Sequence, residues 1–133
     1  MVNADAATHS RFHLERGREL LNEGLAVEAE KNFREACVLQ PQDAAAHAEL
    51  ATALEREGEW KNARSEAEAA TGLGQSAEAY VVLTRLDMRS GDLASATANV
   101  QRALALQPAN AAALILEREI KARRTAAQKP GQN

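Results

Sequence analysis

The sequence predicts an all-α fold, a solenoid of antiparallel helix pairs with about seven helices in all. Three observations carry this reading. The first is a recurring order of side chains: Gly24 returns as Gly58 and Gly91, Ala29 as Ala63 and Ala96, Ala36 as Ala70 and Ala103, and Leu39 as Leu73 and Leu106. The step is 34 residues and then 33. The second is punctuation: Gln40-Pro41 recurs as Gln107-Pro108, and Gln75 occupies the place where the middle copy would carry its proline. The third is composition. Of 133 residues 45% are apolar but only 3% are aromatic, so the core must come from close helix contact through Ala and Leu, and alanine loses no side-chain entropy in a helix.

Residues 1–9 carry Asn3, Asp5 and Thr8 among alanines and are expected to form a flexible N-terminus, with Ser10 capping a first helix over 11–22. Gly24 supplies the left-handed residue that ends it. A second helix over 26–40 is stopped by Pro41, and Asp43 caps the next. The second pair spans 44–57 and about 60–71, turning at Gly58, with Gly72 and Gly74 loosening its end. The third spans 77–90 and 93–106, turning at Gly91 with Asp92 as cap; Pro108 and Asn110 follow.

A last helix over 111–124 has no partner after it. Ala113, Leu116 and Ile120 recur at helical spacing and should pack on the preceding pair, while Glu117 and Lys121 suit water, so this helix closes the array. At the other end Glu19 occupies the offset filled by Ala53, Leu86 and Ile120, as expected where nothing packs in front. Phe12 is the exception on that face, and residues 1–9 are expected to cover it. The domain is therefore 10–124, with repeats over 10–43, 44–76 and 77–110, a capping helix over 111–124 and a disordered tail over 125–133. One pair alone cannot bury its apolar face, so stability comes from stacking neighbours. Trp60, the single tryptophan, is expected to fill the gap between adjacent pairs.

Period and order together resemble the tetratricopeptide repeat. The first copy offers His13, Arg16-Gly17, Leu20, Ala29, Phe33 and Pro41. The second offers His47, Leu50-Ala51, Leu54, Ala63 and Ala67; the third Tyr80, Leu83-Thr84, Asp87, Ala96, Val100 and Pro108. Asp87 stands where the pattern places a large apolar group, which is expected to weaken closure of the third pair. The resemblance covers about residues 10–124. It implies a right-handed superhelical solenoid in which the first helices of successive pairs line a concave groove. It also implies a non-catalytic adaptor that binds a peptide or helix segment of another protein there. The alternative is an auxiliary or scaffolding domain of a larger enzyme or of a secretion or pilus assembly protein.

Carried over by offset, the groove would be lined by Leu14, Arg18 and Asn22, then Glu49, Thr52 and Arg56, then Val81, Arg85, Met88 and Arg89, with Ile115 at the far end. Some members of the family grip a partner's C-terminal carboxylate with a set of Lys, Asn and Arg. Here those places hold Leu14, Arg18, Glu49, Glu78 and Val82, so that mode is disfavoured. Arg18, Arg85 and Arg89 beside Val81, Val82 and Met88 instead favour an acidic and apolar partner segment.

Catalytic signatures are missing from the sequence: it has no nucleophile elbow, phosphate-binding loop, dinucleotide fingerprint or zinc-ligand cysteine pattern, and no cofactor or metal is expected. Cys37, the only cysteine, reads as a buried, inert thiol. His9 and His13 can share a helix face but lack a third ligand nearby, and His13 and His47 sit at a packing offset of the resembled repeat. Glu28 with Glu30 and Glu66 with Glu68 diverge on their helices and read as solvated charge. A net charge of −3 disfavours nucleic acid as the main partner, and Lys121, Arg123, Arg124 and Lys129 read as cations complementing a helix end. No run is long enough to cross a membrane. A cytoplasmic monomer is expected, periplasmic if a leader was removed, with weak dimerisation through Leu114 and Ile115 as the alternative.

Overall fold

Gly24, Gly58 and Gly91 hold φ angles of 83°, 82° and 80°, where a side chain would be strained. Just past each of them, a backbone N–H reaches back five residues at 2.9 Å: Leu25 to Leu20, Glu59 to Leu54 and Asp92 to Asp87. The same left-handed closure therefore ends the first helix of every pair. In the computed structural model, which describes residues 2–128, the chain forms seven helices: α1 (Val2–Asn22), α2 (Ala26–Leu39), α3 (Ala44–Arg56), α4 (Trp60–Leu73), α5 (Ala77–Ser90), α6 (Leu93–Leu106) and α7 (Ala111–Gln128). Four side chains cap N-termini by accepting a backbone N–H: Asp43 from Ala45, Ser76 from Ala79, Asp92 from Ser95 and Asn110 from Ala113.

The elements differ from expectation mainly at their ends. Residues 2–9, expected to be flexible, are the first turns of α1, because neither Gly nor Pro interrupts an alanine-rich stretch and Asp5 suits the positive end of the helix. Ser10 is consequently an interior, buried residue whose hydroxyl lies 3.5 Å from the Ala36 carbonyl, and caps nothing. Phe12 is left 61% exposed, with its ring edge-on to that of His13. At the other end α7 continues through 125–128, where Ala126 and Ala127 favour helix; the rest of the expected tail, with Pro130-Gly131, lies outside the described residues. α4 continues through Gly72 and stops at an extended Gly74.

Each even-numbered helix packs on the odd-numbered helices before and after it. The odd helices also touch one another in succession, whereas among the described residues α2, α4 and α6 do not. The odd helices therefore form an inner row and the even ones an outer row. Ala29, Ala36, Ala63, Ala67, Ala70, Ala96 and Ala103 of the outer row are fully buried, as are Ala46, Ala53, Ala79 and Ala113 of the inner row. Small side chains at these contacts let the helices approach closely. Phe33, Leu50, Leu54 and Val82 fill the core under α1 to α5; Val81, Met88, Val100, Leu116 and Ile120 fill the one under α5 to α7.

Asp87 does not weaken the third pair. Its buried carboxylate accepts from Arg64 of α4 and Asn99 of α6, both at 2.8 Å, so it ties the third pair together and to the second. A buried carboxylate is tolerable only when it is paired and hydrogen-bonded in this way.

Two tests follow from the packing. A Cβ on Gly17 would lie 2.4 Å from the Phe33 ring, whereas one on Gly72 would meet nothing within 4 Å. Gly17→Ala should therefore lower the melting temperature, by overpacking of about 1–3 kcal/mol, while Gly72→Ala should raise it by about 0.5–1 kcal/mol of stability; equal shifts by calorimetry would contradict the packing. Ile120→Asp should destabilise by at least about 3 kcal/mol, measured by urea denaturation, because α7 covers the third pair through Ala113, Leu116 and Ile120.

Candidate functional site

The inner row presents the surface that the repeat offsets assigned to a groove, and its floor is stitched from helix to helix. Arg18 of α1 donates from Nε to Glu49 of α3 at 2.6 Å. Thr52 of α3 donates to Glu78 of α5 at 2.8 Å. Arg85 of α5 forks onto both carboxylate oxygens of Glu55 of α3 at 2.7 Å each, the strong planar pairing that arginine allows. The second oxygen of Glu49 is buried without a partner. Burial and then Glu78 raise its carboxyl pKa, and the Arg18 hydrogen bond only partly offsets them.

The groove candidates thus fall into three groups. Leu14, Thr52, Val81 and Met88 are buried, and Val82 fully so; the strip expected to receive an apolar partner is largely spent on packing against α3, α6 and α7. Arg18, Glu49 and Arg85 are engaged with neighbouring helices. Asn22, Arg56 and Arg89 are exposed, as is Ile115 at 54%.

A hollow of about 530 Å³ on this surface is lined by Glu55, Arg56, Trp60, Arg85, Met88, Arg89, Leu116, Glu119 and Arg123. Trp60, at the start of α4, does not fill an interior gap. It is 39% exposed, and the Arg89 guanidinium lies 3.7 Å from its ring centroid, a cation–π contact. Trp60 also borders a second hollow of about 360 Å³ with Lys61, Arg64, Leu86, Arg89 and Ser90. Sequence reasoning missed Trp60, Glu119 and Arg123 here. Arg123 carried a signal, since it stands one repeat beyond Arg89, itself one repeat beyond Arg56.

His13 and His47 each reach the returning helix of their own pair: His13 lies 3.0 Å from Asn32 and His47 2.8 Å from Glu66. Glu66 is therefore a hydrogen-bond partner rather than solvated charge. His47 Nε2 also lies 2.9 Å from the Pro41 carbonyl, so with both ring nitrogens facing acceptors the doubly protonated ring fits best. Burial alone would lower its pKa, but Glu66 and the Pro41 carbonyl outweigh burial and raise it. Cys37 Sγ is 3.8 Å from the same Nδ1 that meets Glu66. A nucleophile and an orienting acid would need opposite ring nitrogens, and burial, then Glu66 and Asp43, push the thiol up to about 12. Among the described residues, no group of three His, Cys, Asp or Glu could hold a metal ion, and no helix is long and apolar enough to cross a membrane.

No family model matches the sequence, and no curated protein matches it. Solved structures do. An Arabidopsis OM64 TPR domain superposes with a TM-score of 0.81 at 19% identity, over 89% of this chain and 98% of that one. The first TPR of Spaghetti (RPAP3), bound to the HSP90 peptide SRMEEVD, gives 0.79 at 21%, over 89% and 94%. The Yersinia enterocolitica type III secretion chaperone SycD, in complex with a peptide of the translocator YopD, gives 0.73 at 16%, over 86% and 93%. The fold is that of the tetratricopeptide repeat.

Glu57, His47 and Glu49 all have raised pKa values and act in the same direction. Burial, then hydrogen bonding and repulsion from Glu30, push the Glu57 carboxyl up to about 7. Glu30 itself is pushed up by burial but held low by hydrogen bonds with Arg34 and Glu57. A folded-state pKa above the unfolded one, as for Glu57 and His47, gives stability that is complete below the unfolded value and lost as pH rises through the folded one. The melting temperature should therefore fall as pH rises from about 5 through neutrality, and Glu57→Gln with His47→Gln should make that fall shallower. A stability that rises over that interval would overturn the assignment.

Proposed function

We propose that this protein is a non-catalytic adaptor that binds a segment of another protein along its inner row of helices. The repeats over 10–43, 44–76 and 77–110 with the helix over 111–124 form the working unit. The observation that carries the reading is the 530 Å³ hollow at the C-terminal half of that row. An exposed tryptophan and several guanidinium groups converge there. Peptide-bound neighbours of the same fold support it. The cysteine and histidine cluster lacks the geometry for nucleophilic work, which supports a binding rather than a catalytic role.

A photo-crosslinking amino acid placed at Ala45 or Glu119, exposed on α3 and α7, should capture one discrete protein in cells of the source. Placed at Ala69 or Ala105, exposed on α4 and α6, it should not. Mass spectrometry of the crosslinked bands checks this, and capture from the outer positions alone would assign the binding surface to the other face.

A further inference from the structure

We infer that Arg56, Arg89 and Arg123 form a ladder along one edge of the groove that takes side-chain carboxylates of an acidic partner segment, with Trp60 receiving an apolar side chain between them. This rests on the proposed groove reading and names what the groove selects. The three arginines occupy one repeat offset on α3, α5 and α7, successive helices of the inner row, and all three line the same hollow.

Their internal contacts are few. Arg56 donates one bond to the Leu21 carbonyl at 3.3 Å, Arg123 lies 3.5 Å from the Met88 carbonyl, and Arg89 lies over Trp60. Among the described residues none of the three has a carboxylate within ion-pair distance. A guanidinium offers five N–H donors, so most of theirs remain available.

The balance of charge in the hollow reinforces this. Glu55 and Arg85 neutralise each other. What remains is three arginines against Glu119, a local excess of positive charge in a chain whose net charge is −3. At the places where the family resemblance would seek a partner's terminal carboxylate, this chain has Leu14, Arg18, Glu49, Glu78 and Val82 instead, and Arg18 is engaged with Glu49. Glu49 is an acid whose second oxygen is buried without a partner. Side-chain carboxylates spaced along a segment, rather than a single chain terminus, are the chemistry that three arginines one repeat apart fit. Forked N–H donation suits carboxylates, and the exposed indole supplies apolar area at low entropic cost.

The probe is a synthetic peptide of repeating Glu-Glu-Leu, about nine residues long, blocked at both ends, with a terminal fluorophore. Its anisotropy is titrated against the full chain, and emission of Trp60, the only tryptophan, reports where it binds. Saturable binding with a change in Trp60 emission is expected. The Gln-Gln-Leu analogue should bind at least tenfold more weakly, as should the Glu peptide to the Arg89→Gln, Arg123→Gln double variant. Arg102→Gln, on the outer α6, should change affinity less than twofold. Circular dichroism should show the variants folded, as exposed positions allow. Absence of saturable binding, equal binding of the Gln peptide, or an unaffected double variant would overturn the ladder. A single-stranded oligonucleotide that binds more tightly than the Glu peptide and loses affinity in the same variant would overturn it too, by assigning the ladder to nucleic acid. Groove-directed crosslinking that persists when the ladder fails would leave the adaptor reading standing; its absence would remove both.

Discussion

Close approach of helices through alanine governs this structure. With so few aromatic side chains, a single helix pair has little to bury, and its faces of Ala29 with Ala36, Ala63 with Ala70, or Ala96 with Ala103 gain most when a neighbour comes within methyl contact. Each helix is therefore stabilised chiefly by the helices beside it, as in a one-dimensional stack. The few large side chains stand where the stack would otherwise be hollow. Phe33 fills the space above Gly17, which has no room for a Cβ, and Ile120 and Leu116 complete the last layer. Burial of a side chain such as Phe33 or Ile120 is worth roughly 1.5–3 kcal/mol.

The same approach fixes the inner row and spends most of its polar groups. Where helices lie this close, Arg18 can reach Glu49, Thr52 can reach Glu78, and Arg85 can fork onto Glu55. These contacts set the spacing of the row rather than its affinity for anything outside. Partly desolvated pairs between long side chains give modest net stability, but they define geometry. Exposed side chains that the stitching leaves over include Arg56, Trp60 and Arg89, at the edge where α3 and α5 end and α4 begins. There the left-handed glycine corner at Gly58 brings Trp60 to the rim, and Arg89 of the next pair covers its face.

The number of helices, their corners and caps at Gly24, Gly58, Gly91, Asp43 and Asp92, the buried face of α7 and the offsets that form the inner row were all legible in the sequence. Those features depend on local chemistry and on periodicity: a glycine that tolerates positive φ, a carboxylate beside a helix N-terminus, an apolar stripe at helical spacing. The helix ends at 2–9 and 125–128 were misread because alanine-rich sequence without Gly or Pro carries no stop signal. The fate of each side chain along the inner row depended on which neighbours packing brought within its reach. Arg85 and Arg89, four residues apart on α5, face different neighbours, so one is held by Glu55 of α3 and the other lies over Trp60 of α4. Asp87 passed from an apparent flaw to a tie between Arg64 and Asn99 for the same reason. Such partners lie on other helices, up to about 30 residues apart in the chain, and the reach of a flexible side chain across a packed interface has no signature in periodicity.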